Sequence, residues 1–138
     1  MDHTIRQLAD TFPVLTSNMN VVPLPFGEGF YQGLSERFGN FEQHVLVSCH
    51  RFDEGWQTWE RHPHGDEIVC LMTGEITLAL LVNGETRSLK ATQAGEYVVV
   101  PKGVWHTAVD AKAATVLFIT PGQGTENRTD PDDPATAC

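Results

Sequence analysis

No run of 18 consecutive apolar residues occurs anywhere in the 138-residue chain, so no segment reads as a membrane span. Basic residues are scarce: 9 Lys and Arg stand against 18 Asp and Glu, for a net charge of −9. A surface that tracks phosphates needs the opposite sign, which excludes nucleic acid and an anionic membrane face as expected partners. Cysteine is sparse and odd in number. Cys49, Cys70 and Cys138 are widely spaced, form no C-x-x-C knuckle and suggest no disulfide framework. Two of them sit inside apolar runs, where free thiols are expected, and a reducing, cytoplasmic compartment follows. The first residues, Met1 to Arg6, lack the basic start and apolar stretch of a secretory leader. No G-x-S-x-G, Walker or dinucleotide fingerprint is present, so a serine hydrolase or nucleotide enzyme has no support.

What is present is a globular composition, 41% apolar and 20% charged. One core fits such a chain, and it would bury roughly two-thirds of the unfolded surface. Ile5, Leu8, Ala9 and Phe12 fall at helical spacing ahead of Pro13, which predicts a short N-terminal helix over 3–12. Proline and glycine then punctuate 13–33, where loop with short extended pieces is expected. After Gly39 the apolar period becomes two. Strands are predicted over 41–52, 57–62, 67–73, 76–82, 85–89, 97–101, 104–109 and 113–120. Asn83-Gly84 between two of them marks a hairpin, because a type I′ turn needs positive φ at both central residues. Short strands recurring between Gly and Pro signals predict an all-β sandwich or barrel. The expected organisation is a helix and extended arm over 1–39, a barrel over 40–121 and a flexible acidic tail over 122–138, Pro-rich and poor in apolar residues.

Three of the six histidines carry chemical interest. Glu60, His62 and His64 alternate, which puts their side chains on one face of a strand. Glu67 follows the turn Pro63-His64-Gly65-Asp66, so residues 62 and 67 face each other across it. Imidazole and carboxylate at about 5 Å Cβ spacing can share a metal ion, and two histidines with one carboxylate suit Fe(II), Mn, Ni or Zn. The same residues also suit a plain polar hairpin, and spacing alone leaves both readings open. His106 lies just past the turn signature Pro101-Lys102-Gly103. Trp56, Trp59 and Trp105 flank these positions and serve either packing or an aromatic wall around a ligand. Tyr97 is a structural residue or a pocket hydroxyl, and Arg51 and Arg61 are solvated or available to an anion. His44 and His50 show no partner in the sequence.

Gly95, Pro101, Gly103 and His106 match the spacing G-x5-P-x-G-x2-H-x3-N, with Asp110 at the final position, and Glu67 and Gly74 match E-x6-G. In these two motifs the chain resembles the cupin superfamily. The resemblance implies a double-stranded β-helix, the jelly-roll barrel, with the predicted short N-terminal helix added. It also implies a metal site in the barrel mouth. Pro directly after the second motif-one histidine makes Pro63 the marker, so His62 is that histidine and Glu60 stands where the first is usual. The implied ligands are then His62, Glu67 and His106, with Glu60 as a fourth ligand or as a base. The competing register pairs His62 with His64 and puts His64 in the site instead of Glu60. A carboxylate in place of an imidazole favours a harder ion. The expectation is therefore one divalent metal ion, Fe, Mn, Ni or Zn, coordinating a small polar molecule. A dioxygenase- or isomerase-like enzyme with Glu60 as proton acceptor is one reading, and a non-catalytic metabolite- or metal-binding or sensing module is the other. A homodimer is expected, because Ile68, Cys70 and Met72 are as apolar as the opposite face of the same strand.

Overall fold

The computed structural model describes residues 3–56 and 58–130, in nine strands and one helix. The strands are β1 (Thr11–Leu15), β2 (Val21–Pro25), β3 (Val45–Phe52), β4 (Trp59–Arg61), β5 (Glu67–Val82), β6 (Glu85–Ala91), β7 (Tyr97–Val100), β8 (Trp105–Thr120) and β9 (Glu126–Arg128), with α1 (Phe30–Phe38) between β2 and β3. All strand pairings are antiparallel.

Two 16-residue strands organise the barrel. β5 and β8 pair along most of their length, from Ile68↔Ile119 to Leu81↔Trp105. Their register slips between Leu71 and Glu75, where Gly74 (φ 78°) and Ala113 (φ 46°) leave the extended region. A bulge of this kind bends and twists the ladder, so each strand turns a corner and serves two sheets. One sheet runs β2-β1-β3-β8-β5-β7 and the other β9-β4-β8-β5-β6. Folded upon each other, they bury Val69, Leu71, Ile76, Leu78, Val100 and Val116. The result is the expected all-β jelly roll. The predicted hairpin is present, with Asn83 and Gly84 at φ 53° and 77° joining β5 to β6.

The N-terminal region differs from its expectation. Residues 3–12 form no helix: Ile5 is 92% exposed, and its helical spacing has nothing to pack on. Phe12 and Val14 instead alternate into a second core as part of β1. The helix lies later, at α1, where Phe30, Leu34 and Phe38 stand four residues apart and face that same core. Gly29 and Gly39, both at positive φ, bound it. The arm is thus part of the first sheet, since Val14 and Leu15 pair with Leu46 and Val45.

The tail expectation also needs correction at its start. Residues 126–128, placed in the flexible tail by their polarity, form β9 against β4. Backbone pairing and the Arg61–Glu126 ion pair, Nη2 to Oε2 at 2.8 Å, hold this strand without an apolar face. Residues 131–138 and Cys138 lie outside the described residues. No helix among the described residues is long and apolar enough to cross a membrane.

Candidate metal centre

β4 brings Glu60 beside His106 of β8 as a cross-strand pair. The chain leaves β4 after Arg61, passes His62 and turns at Pro63-His64. His62 and Glu67 therefore flank a turn as expected, but not a hairpin: Glu67 pairs with Val100 of β7, and β4 pairs with β8 and β9. Two turns are stapled together at this point. The Gly103 N–H donates to the His62 carbonyl at 3.0 Å, and the Lys102 N–H donates to Asp66 Oδ1 at 2.8 Å. The second motif's proline–glycine turn thus supports the first motif's histidine, and the barrel closes around both.

Glu60, His62, Glu67 and His106 converge so that one ligand atom from each lies within 4.8 Å of all the others. His62 Nε2 stands 3.1 Å from Glu60 Oε1 and 3.2 Å from Glu67 Oε2. His106 Nε2 stands 3.0 Å from Glu67 Oε1 and 3.9 Å from Glu60 Oε1. Three of the four are buried, and Glu60 is half-buried. His64, two residues from His62, is exposed on the turn and lies outside the cluster.

The surroundings orient each group. The His106 Nδ1–H donates to the Val104 carbonyl at 3.2 Å, because a carbonyl only accepts. That fixes the tautomer and leaves Nε2 as a lone pair aimed at the cluster. His62 Nδ1 is 2.8 Å from the Thr125 hydroxyl, which in turn donates to the Gly122 carbonyl. That hydroxyl proton is committed, so His62 Nδ1 is the donor in their bond. The Thr120 hydroxyl donates to Glu67 Oε2 at 2.6 Å.

Inside the cluster the polar atoms lack such partners. His62 Nε2 and Glu67 Oε1 are buried and make no directed hydrogen bond, despite contacts near 3 Å. Two imidazole lone pairs and two carboxylates pointed at one spot require a cation between them. When no ion is bound, protons take that role. Burial alone would push the His62 imidazole down, but the carboxylates of Glu60 and Glu67, 3.1 and 3.2 Å from Nε2, favour the protonated ring enough to outweigh it and lift it from 6.5 to about 9. Burial alone would raise Glu67, yet His106 and His62 hold it near 2. The residues therefore fit a divalent ion: two neutral nitrogens, two anionic oxygens and oriented rings.

A cavity of about 800 Å³ opens beside this cluster, with Glu60, His62 and Glu67 on its wall. Of the tryptophans, Trp56 lines it, while Trp59 lines a separate shallow hollow with Glu54 and Asp110. Trp105 is buried with the guanidinium groups of Arg61 and Arg128 on its ring at 4.7 and 4.9 Å. Arg61 is thus committed to Trp105 and Glu126, and Arg51 to Asp53 at 3.4 Å. Tyr97 is 62% exposed and lies on the wall of neither of these two hollows. Tyr31, Ser48, His50, Thr120 and Thr125 bear no motif in the sequence, yet all five line the cavity beside the cluster. Period two along β3 places Ser48, His50 and Phe52 on one face, the signal that was available.

No family model matches the chain, and no curated protein matches it. Solved structures do. An oxalate oxidase structure is 24% identical, covering 59% of this chain and 44% of that one, with a TM-score of 0.48. Hydroquinone 1,2-dioxygenase from Sphingomonas sp. TTNP3, with 4-hydroxybenzoate bound, is 20% identical, covering 55% and 58%, with a TM-score of 0.46. A cupin-2 domain containing protein from Shewanella frigidimarina is 26% identical, covering 56% and 70%, with a TM-score of 0.43. The aligned part spans less than two thirds of the first two of these proteins.

Proposed function

We propose that this barrel of the cupin superfamily holds one divalent metal ion on Glu60, His62, Glu67 and His106 and acts as a metal-dependent enzyme on a small polar molecule. The observation that carries this reading is the buried pair of unpartnered atoms, His62 Nε2 and Glu67 Oε1, aimed into one four-ligand cluster. When bound, such an ion polarises an oxygen of a coordinated molecule. The chain's own groups do the rest. Glu67 is fixed by Thr120, His62 by Thr125 and His106 by Val104, so these three are rigid. Glu60 is the half-exposed member on the cavity side; its Oε1 faces the histidines, and its other oxygen would be the one to take a proton from a bound molecule. Polarisation by the ion and an adjacent base would suit isomerase-like proton transfer, and dioxygenase-like chemistry would in addition need O2 and a redox-active ion such as Fe(II) or Mn(II). Metal content of purified variants tests the reading. His62→Ala and His106→Ala should each abolish stoichiometric binding, Glu60→Gln should weaken it, and His64→Ala should leave it intact. Turnover screens with Fe(II), Mn(II) and Ni(II) then separate an enzyme from a binding module; loss of metal in His64→Ala with retention in Glu60→Gln overturns the ligand set.

The outer face of the first sheet supports a homodimer. Cross-strand partners Val47, Ile119, Ile68 and Val99 form one apolar row, and Cys49, Leu117, Cys70 and Tyr97 form the next. Val99 is 48% exposed in the single chain. A second copy laid on this face would cover both rows. A reducing, cytoplasmic compartment is proposed with it, on the sparse, widely spaced cysteines of the sequence.

A further inference from the structure

The cavity beside the metal cluster has a second polar group that the proposed chemistry does not use. The Tyr31 hydroxyl of α1 lies 2.8 Å from His50 Nε2 of β3, and both residues line the cavity together with Ser48. The His50 ring is wedged among phenyl rings, with Phe12 and Phe26 both at 5.3 Å. That packing fixes where Nε2 points. Between this pair and the cluster the wall is aromatic: Phe52 and Trp56 stand 4.8 Å apart, and Trp56 and Phe118 6.0 Å apart. Among the described residues, no lysine or arginine lines the cavity.

These features constrain the charge of what enters. A divalent ion would already be balanced by Glu60 and Glu67, so a further carboxylate or phosphate would enter the cavity with no cation of its own. A hydroxyl, by contrast, finds acceptors and a donor in Tyr31, Ser48 and His50 at modest desolvation cost. The aromatic wall, with Phe52 and Phe118 tilted 47° and 59° to Trp56, offers ring faces and edges to an aromatic molecule. We propose that Tyr31 and His50 form a hydroxyl-reading subsite, so that the cavity takes an uncharged, hydroxylated aromatic molecule in preference to an organic acid. The inference rests on the reading above only in assigning the molecule's other end to the metal centre.

The test compares 2-naphthol with 2-naphthoate by calorimetry on the full chain, both metal-free and zinc-loaded. We expect 2-naphthol to bind about tenfold or more tightly than 2-naphthoate in both forms. Tyr31→Phe should weaken 2-naphthol about fivefold, the loss of one neutral hydrogen bond. His50→Leu should do the same, while His50→Gln, which keeps an acceptor, should restore most of the affinity. Equal or tighter binding of 2-naphthoate, no binding of 2-naphthol, or an unchanged affinity in Tyr31→Phe overturns the proposal. Because the metal-free arm does not depend on the ion, failure of the metal reading leaves its own signature: no metal in the wild-type protein, with the naphthol preference intact.

Discussion

Removing the metal should expose a proton competition at His62. In the metal-free protein that imidazole holds its proton up to about pH 9, compared with 6.5 for an ordinary histidine. At pH 7 only about 1% of the sites would then present a free Nε2. Metal binding must displace this proton. Apparent affinity should therefore climb tenfold per pH unit, about two orders of magnitude between pH 7 and pH 9, and level off above that. The same shift sets the stability of the metal-free fold. A folded pKa raised above the unfolded value stabilises fully below pH 6.5 and loses that contribution as pH rises through 9. For a side chain only 3% exposed, the effect is roughly 3 kcal/mol, or about 10 °C in Tm. Glu67 behaves oppositely: its contribution is present above pH 4.5 and disappears as pH falls through about 2. Metal-free protein should thus be most stable between about pH 4.5 and 6.5, whereas metal-loaded protein should not weaken from pH 6.5 to 9. Chelator-competition titrations with zinc and thermal melts across that range measure both. A flat affinity profile, or a metal-free Tm that rises from pH 6.5 to 9, would refute the argument that Glu60 and Glu67 clamp a protonated His62.

Thr125→Val should lower metal affinity roughly 10- to 100-fold while shifting Tm only slightly, because it removes the group that orients His62 and leaves the four ligands in place. Gly74→Ala should destabilise the protein by about 3 kcal/mol or more in denaturant melts. Gly74 sits at φ 78°, and an added Cβ would collide with the carbonyls of Lys112 and Ala113 at the corner of the two long strands. Sedimentation should give twice the chain mass for the wild-type protein and the single-chain mass for Val99→Glu, which puts a charge into the outer apolar row. A wild-type monomer at micromolar concentration would remove the dimer proposal.

Local chemistry made much of this molecule legible. Asn83-Gly84 forces a turn whatever surrounds it, since both residues accept positive φ. Period-two runs such as Val45, Val47 and Cys49 read as strand because alternate side chains meet different faces. The turn signature Pro101-Lys102-Gly103 is local too, whereas the spacing from Gly95 to His106 is legible only through its resemblance to the cupin motif. Helical spacing at Ile5, Leu8 and Phe12 produces no helix, because no partner surface exists there for one to cover. The equal spacing of Phe30, Leu34 and Phe38 was the real signal, masked by Gly29 and Gly33.

Other features belong to the tertiary structure alone. The sequence reads as two pieces parted at 74–75 in β5 and at 110–112 in β8, but only their mutual pairing shows that each strand runs on through a bulge and serves both sheets. β9 has no apolar pattern, because its order comes from backbone bonds to β4 and from Glu126 meeting Arg61 across 65 residues. Neither Thr125 nor Tyr31 bears a motif, and each acquires its partner, His62 or His50, only when distant segments are brought together. The sequence by itself determined the strand periodicity, the hairpin and the spacing of residues of ligand type, because these depend on nearest neighbours along the chain. Closure of the barrel decided which of those residues meet, putting Glu60 in the cluster and His64 on the surface, because convergence depends on contacts between strands far apart in sequence.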